Sequence, residues 1–213
     1  MAKTDWKAEA KALKKQLKLL RAELGAKPAK AAKPVSPLAP ASFPKMPRIA
    51  GVEFAAVGAG IKYQNRKDVM LVRLAPGTAI AGAFTRSSTR SGCVRDCQEK
   101  LATKVPADVG AAIVVNSGNS NAFTGKVGDE AVAAVTGGVA AALGIPASRV
   151  FSSSTGVIGE PLPYEKITAK IPDMVAGLTE DAIDGAAEAI MTTDTFPKGA
   201  VATVQGDGGV SQK

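Results

Sequence analysis

Three segments of this chain concentrate small polar residues, and each follows an apolar run. The first is Asn116–Gly125, NSGNSNAFTG. Its Asn116, Asn119 and Asn121 supply amide dipoles with little bulk, and they can line a site or bond their own backbone in an Asn-rich turn. A phosphate-cradling loop is excluded: six residues rather than four separate Gly118 from Gly125-Lys126, and Val127 stands where Ser or Thr is needed. The second is Ser152–Gly156, SSSTG, directly after a strand expected to end near Phe151. A hydroxyl at Thr155 beside the Gly156 N–H is a pair able to stabilise a developing oxyanion. The same Ser/Thr-Gly pattern also describes N-caps and turns. The third is Met191–Lys198, MTTDTFPK, in which Thr192, Thr193, Asp194 and Thr195 bind a polar substrate or turn the chain before Pro197.

The chain contains no histidine. That removes an imidazole base, a Ser-His-Asp or Cys-His arrangement within this chain, and an imidazole metal site. Chemistry here must use hydroxyls, backbone amides, carboxylates, lysines or residues of another chain. Cys93 and Cys97 are spaced C-x-x-x-C, which is neither the usual redox pair nor a complete zinc shell, so two reduced thiols are expected. No apolar run reaches the ~18 residues of a membrane span, and charges interrupt Leu13 to Leu24, so a secretory signal is not expected. The expected location is cytoplasmic.

The elements that must hold these segments begin after a composition break. Of 27 basic and 19 acidic residues, residues 1–48 carry 12 and 3, leaving 15 and 16 for the remainder. The net charge of +8 therefore belongs to the N-terminal arm, while the rest is near neutral. Within the arm, residues 1–24 read as an amphipathic helix: Trp6, Ala10, Leu13, Leu17, Leu20 and Leu24 form an a/d stripe of about three heptads. Such a helix can dock on its own domain, pair with another subunit or lie on an anionic surface. Residues 25–48, rich in Ala, Lys and Pro, read as a linker.

Residues 49–213 read as a mixed α/β domain. Strands are expected at Val52–Ala59, Val69–Leu74, Ile80–Phe84, Gly110–Asn116 and Arg149–Ser153. Helices are expected at Asp129–Leu143, Tyr164–Ile171 and Thr179–Met191. Gly137 and Gly138 fall inside the first of these, where they let another element approach closely. Ala200–Gln205, the turn GDGG and Val210–Lys213 read as a hairpin with an unfinished return strand, so a partner chain or missing segment is expected to complete it.

Five motifs taken together resemble one family. GIKYQNRKDVMLVRL (60–74), GAFTRSSTRS (82–91), VVNSGNSNAFTG (114–125), FSSSTGVIGEPLP (151–163) and AIMTTDTFPKGA (189–200) occur in the order and spacing of ornithine acetyltransferase. This is the bifunctional glutamate N-acetyltransferase/amino-acid acetyltransferase of arginine biosynthesis. The resemblance covers residues 49–213, not the helix and linker. It implies an α+β layered sandwich of the self-processing ornithine acetyltransferase/aminopeptidase type. It also implies a precursor that cleaves itself between an Ala and a Thr into α and β chains held together as α2β2. The new N-terminal Thr of β is then the nucleophile, with its own amine as base. Acetyl passes from N-acetylornithine through an acetyl-threonine to glutamate; acetyl-CoA is a further donor in bifunctional members, and no resident cofactor is implied.

On the same resemblance Thr155 and Gly156 form the oxyanion hole and Thr192 binds substrate. The family's I-A-K-G-S-G-M stretch, which holds a substrate-binding lysine, and the Ala-Thr cleavage point would follow Lys213. This chain therefore corresponds to an α-chain portion, expected to be inactive without its β chain. Two other readings stay open at this point. One is a related N-terminal-nucleophile amidase or aminopeptidase, since fold does not fix function. The other is a basic-armed nucleic-acid-binding protein, against which stand a near-neutral domain and an arm whose only aromatics are Trp6 and Phe43.

Overall fold

Apolar alternation along four stretches becomes one sheet. In the computed structural model, which describes residues 6–23, 35–106, 108–202, 204–205 and 211–212, the chain divides into units at residues 1–35 and 36–213. The first holds helix α1, Trp6–Glu23. The second holds strands β1 (Val52–Val57), β2 (Val69–Leu74), β3 (Ala111–Asn119) and β4 (Val150–Val157), hydrogen-bonded in the order β1-β2-β3-β4. The first two pairings are antiparallel, whereas β3 and β4 run parallel. Parallel neighbours need a long crossover, and helix α3 (Gly125–Leu143) lies within it; α2 (Gly92–Ala102) precedes β3.

One face of the sheet is the core. Ala55, Val69, Leu71, Val114 and Val150 are buried there with Ala131, Val135 and Val139 of α3. After β4 come α4 (Tyr164–Thr168), α5 (Ile171–Ala176) and α6 (Ile183–Ala189). Ile167, Ile171 and Met174 join the same cluster. The paired glycines of α3 differ in use: a Cβ on Gly138 would meet Ile171 Cδ1 at 2.7 Å, while Gly137 has nothing within 4 Å. Helix α2 covers the open edge of β4. Lys100 Nζ donates to the Val150 carbonyl at 2.8 Å and Cys97 Sγ to that of Ser152 at 3.4 Å. An edge strand answered by side chains no longer offers a row of free carbonyls to another chain.

The structure departs from the sequence expectations in definite places. Ile80–Phe84 is not a strand. Residues 81–83 are exposed, and the Phe84 ring folds back over Gly82, where a Cβ would meet it at 2.7 Å. The helix at Gly92–Ala102 has no counterpart among the expected elements, because its polar residues hide a short buried stripe of Gly92, Cys93 and Cys97. The strand expected to end at Asn116 continues to Asn119, and the one expected to end near Phe151–Ser153 continues to Val157. Two of the three polar segments thus begin inside the sheet. Tyr164–Ile171 is divided between α4 and the start of α5, and the helix expected from Thr179 begins at Ile183. Val204–Gln205 (β5) and Ser211–Gln212 (β6) pair antiparallel; the GDGG turn lies outside the described residues. The larger unit takes in residues 36–48, where Arg48 Nε bonds Asp181 Oδ1 at 2.6 Å and Phe43 stacks close to Gly199.

The connection from β1 to β2 is organised by one buried carboxylate. Asp68 is fully buried, its Oδ1 accepts the Ala59 N–H at 2.6 Å, and its Oδ2 accepts that of Ile61 at 2.7 Å. Its own carbonyl accepts the Ser117 N–H at 2.9 Å. Removing the acceptor leaves the half-buried Ala59 N–H and the buried Ile61 N–H without a partner. Asp68→Ala should therefore lower unfolding stability by about 3 kcal/mol, with Asp68→Asn between it and the parent chain. Urea unfolding of the three proteins checks this; equal midpoints would refute the role given to Asp68.

Candidate functional site

The second half of β3 keeps its place in the sheet although its residues are polar. Asn116, Ser117 and Asn119 are all buried, so each polar atom needs a partner. Asn116 Nδ2 donates to the Asn119 carbonyl at 2.9 Å, and its Oδ1 accepts from Ser154 Oγ at 2.6 Å. Asn119 Nδ2 reaches the carbonyls of Glu160 at 3.0 Å and Pro161 at 3.2 Å, while its Oδ1 accepts the Asn121 N–H at 2.7 Å. Asn121, at φ 47°, turns the chain into α3. Its Nδ2 donates to the Gly128 carbonyl at 2.9 Å and its Oδ1 accepts from Thr124 Oγ1 at 2.8 Å. A Cβ on Gly128 would fall 2.0 Å from that hydroxyl, so the knot requires glycine. The three asparagine side chains are spent on the protein itself and position what surrounds them.

Beyond Ser117 the two parallel strands close on each other. Gly156 of β4 lies opposite Gly118 of β3, where the register shifts. Gly156 has φ +136°, and a Cβ there would stand 2.3 Å from the Gly118 carbonyl carbon and 2.6 Å from the Asn119 nitrogen. No side chain fits. On its other side Gly118, at φ +97°, sits beneath Lys62 and Tyr63. Thr155 is half-buried opposite Ser117, and among the described residues its hydroxyl has no hydrogen-bond partner.

Ser117 ties this corner to the third segment. Its Oγ donates to the Ala189 carbonyl at 2.7 Å, at the end of α6. Arg66, from the β1–β2 connection, donates Nη2 to the carbonyls of Met191 at 2.5 Å and Glu188 at 3.3 Å, with its guanidinium 4.5 Å from the Tyr63 ring centre. A cation on the last carbonyls of a helix is favourably placed. Thr192 follows at once: its N–H bonds Asp194 Oδ2 at 3.2 Å and its hydroxyl is left without a partner among the described residues. Hydrogen bonding from Lys198, then from the Thr192 N–H, holds the Asp194 carboxyl below the usual carboxylate range. Ser117 thus ties the corner of Thr155 and Gly156 to the end of α6, three residues before Thr192.

Ser117, Arg66 and Asp68 carry this arrangement and have no role in the sequence reading. Their signal was inside the motifs, an Arg and Asp two apart before a strand, but burial and partners are not visible in residue order. Both cysteines are free and buried; Cys93 Sγ lies 3.3 Å from Ser154 Oγ, and burial pushes the Cys97 thiol up, away from the thiolate. Among the described residues no cluster of three His, Cys, Asp or Glu side chains could hold a metal ion. Nor is any helix there long and apolar enough to cross a membrane. A cavity of about 430 Å³ lies at the opposite end of the sheet, between Gly51, Arg73 and Gly110, and shares no residue with this corner.

The ArgJ family model matches residues 53–212. The chain is 59% identical over 167 residues to the arginine biosynthesis bifunctional protein ArgJ of Ruegeria pomeroyi, covering 78% of this chain and 40% of that protein. Against the protein of the same description from Nitrobacter winogradskyi it is 48% identical, covering 76% of this chain and 39% of the relative. The chain thus spans about 40% of the length of the curated relatives it matches. Among solved structures, ornithine acetyltransferase of Mycobacterium tuberculosis complexed with ornithine matches at a TM-score of 0.63 and 38% identity, over 68% of this chain and 78% of that one. The ArgJ protein of Bacillus halodurans matches at a TM-score of 0.59 and 31% identity, over 70% and 75%.

Two glycine substitutions test the geometry in opposite directions. Gly156→Ala should cost roughly 3 kcal/mol, since it combines overpacking with a disfavoured φ. Gly137→Ala, in open space on a helix, should stabilise by about 0.5–1 kcal/mol. Thermal and urea unfolding of both variants checks the pair; a harmless Gly156→Ala would contradict the close approach.

Proposed function

The chain belongs to the ArgJ family, and from that premise we propose that it is the α-chain part of a self-cleaving acetyltransferase of arginine biosynthesis. It supplies the oxyanion hole and part of the substrate site, while a β chain supplies the nucleophile as its N-terminal threonine. Acetyl moves from N-acetylornithine to glutamate, acetyl-CoA is a second donor, and the assembly is α2β2 in the cytoplasm. The observation that carries the reading is the pairing of a Thr155 hydroxyl that has no partner among the described residues with a Gly156 where the Gly118 backbone leaves no room for a side chain.

The chemistry follows from those groups. The β-chain Thr hydroxyl attacks the acetyl carbonyl and its α-amine takes the proton, which explains how a chain without histidine serves such a reaction. As the tetrahedral intermediate forms, its oxyanion accepts hydrogen bonds from the Thr155 hydroxyl and the Gly156 N–H. Collapse breaks the C–N bond, the amine returns the proton, and ornithine leaves. The glutamate amine then attacks the acetyl-threonine and loses a proton to the α-amine, while the same donors stabilise the second intermediate. Its collapse breaks the bond to the threonine oxygen, which regains that proton as N-acetylglutamate leaves. Thr192, held beside the corner by Ser117 and Arg66, contacts the amino-acid part of the substrate. Asn116 ties β3 to β4 through Ser154, Asn119 holds the chain entering α4, and Asn121 holds the turn into α3.

Co-expression with the segment that follows it in the relatives should yield a complex that transfers acetyl from N-acetylornithine to glutamate. In that complex Thr155→Ala should lower kcat by about 100-fold with a smaller change in KM, the cost of one lost oxyanion donor. Steady-state kinetics on both proteins, with a panel of peptide amides as competing substrates, decides. Hydrolysis of the amides without acetyl transfer would replace this reading by the amidase one.

A further inference from the structure

Helix α1 presents an apolar stripe whose large side chains are exposed. Trp6 is 76% exposed, Leu13 60%, Leu17 49% and Leu20 53%. The family match begins at residue 53, so the acetyltransferase reading leaves this helix without a role. The 4-3-4-3 spacing sets Trp6, Leu13 and Leu20 at d positions and Ala10 and Leu17 at a positions of a heptad. Residues flanking that seam are sorted by charge. The e positions hold Lys7, Lys14 and Arg21; the g positions hold Glu9, Gln16 and Glu23.

We propose that α1 is a self-association element, which pairs in parallel with the α1 of a second copy of this chain. In a parallel pair each g residue meets the e residue five positions on in the partner helix. Glu9 would therefore face Lys14 of the other copy, twice by symmetry, and Gln16 would face Arg21. An antiparallel pair would set e against e, bringing Lys7, Lys14 and Arg21 of the two copies together, and is disfavoured by like-charge repulsion. The sorted flanks thus select both the partner and its direction. The seam is short, so the pair is weak by itself and strengthens wherever two copies are held near each other. Each helix carries six basic and two acidic residues. Salt screens that net repulsion, so association through the apolar seam persists or rises with salt, whereas attachment to nucleic acid or an anionic surface falls.

Single cysteines placed in the otherwise native protein test this, because Cys93 and Cys97 are buried. Under mild oxidation Leu13→Cys and Leu17→Cys should each form disulfide-linked homodimers, about tenfold more than Lys15→Cys at the outward f position. Yields should hold or increase from low to high salt, and far-UV circular dichroism should verify that each variant keeps its helix. Four outcomes would overturn the proposal. They are equal linking at Lys15, no linking at the seam, linking only when Leu13→Cys is mixed with Leu17→Cys, or linking only with DNA or anionic phosphatidylglycerol vesicles.

Discussion

The polar end of β3 is the constraint on which the rest of the larger unit depends. A strand that stays buried after its apolar residues run out must have every donor and acceptor answered, since an orphaned buried polar group costs about 1–3 kcal/mol. Here the answers come from all sides. Ser154 of β4 and the Asn119 carbonyl satisfy Asn116, the end of α6 satisfies Ser117, and the chain entering α4 satisfies Asn119. The Asp68 carbonyl holds the Ser117 N–H from the β2 side. Each bond that satisfies β3 also fixes a neighbouring element against it. The sheet end, the last turn of α6 and the turn into α3 form one hydrogen-bonded network.

This economy explains which hydroxyls are left over. In a corner where Asn116, Ser117, Asn119, Asn121, Thr124 and Ser154 are all engaged, Thr155 and Thr192 have no partner among the described residues. A rigid surround with a few unengaged donors is what electrostatic preorganisation requires, because the donors need not reorganise when charge develops. The glycine pair contributes in the same sense. With Gly156 against the Gly118 backbone, β4 cannot shift along β3 without a clash, so the N–H that follows Thr155 is fixed relative to that hydroxyl.

The absence of histidine fits this division of labour. An α chain that only binds and stabilises needs donors, not a base, and on the proposed reading the base arrives with the nucleophile on another chain. The basic arm has no part in that chemistry. The heptad pattern and most of the charge belong to a separate unit, while Arg48 at the arm's end bonds Asp181 within the larger one.

Much of this was legible in residue order. The composition break, the apolar runs of β2 and β3, the long Ala/Val helix α3 and the heptad of α1 are local patterns, and period and composition are local quantities. Five ordered motifs were enough to point to the family, and Thr155, Gly156 and Thr192 came from them. Residue order misplaced what depends on partners elsewhere in the chain. Asn116–Asn119 has the composition of a turn, yet it is strand because Ser154, Ala189 and Glu160 supply the bonds that a turn would make to itself. Ile80–Phe84 has the composition of a strand, yet among the described residues no neighbour pairs with it. The sequence by itself determined which residues could do chemistry and which class of chemistry was left without histidine. Only the tertiary structure decided which of those residues remain free to do it, because a polar side chain's availability is set by whether some distant backbone group has already claimed it.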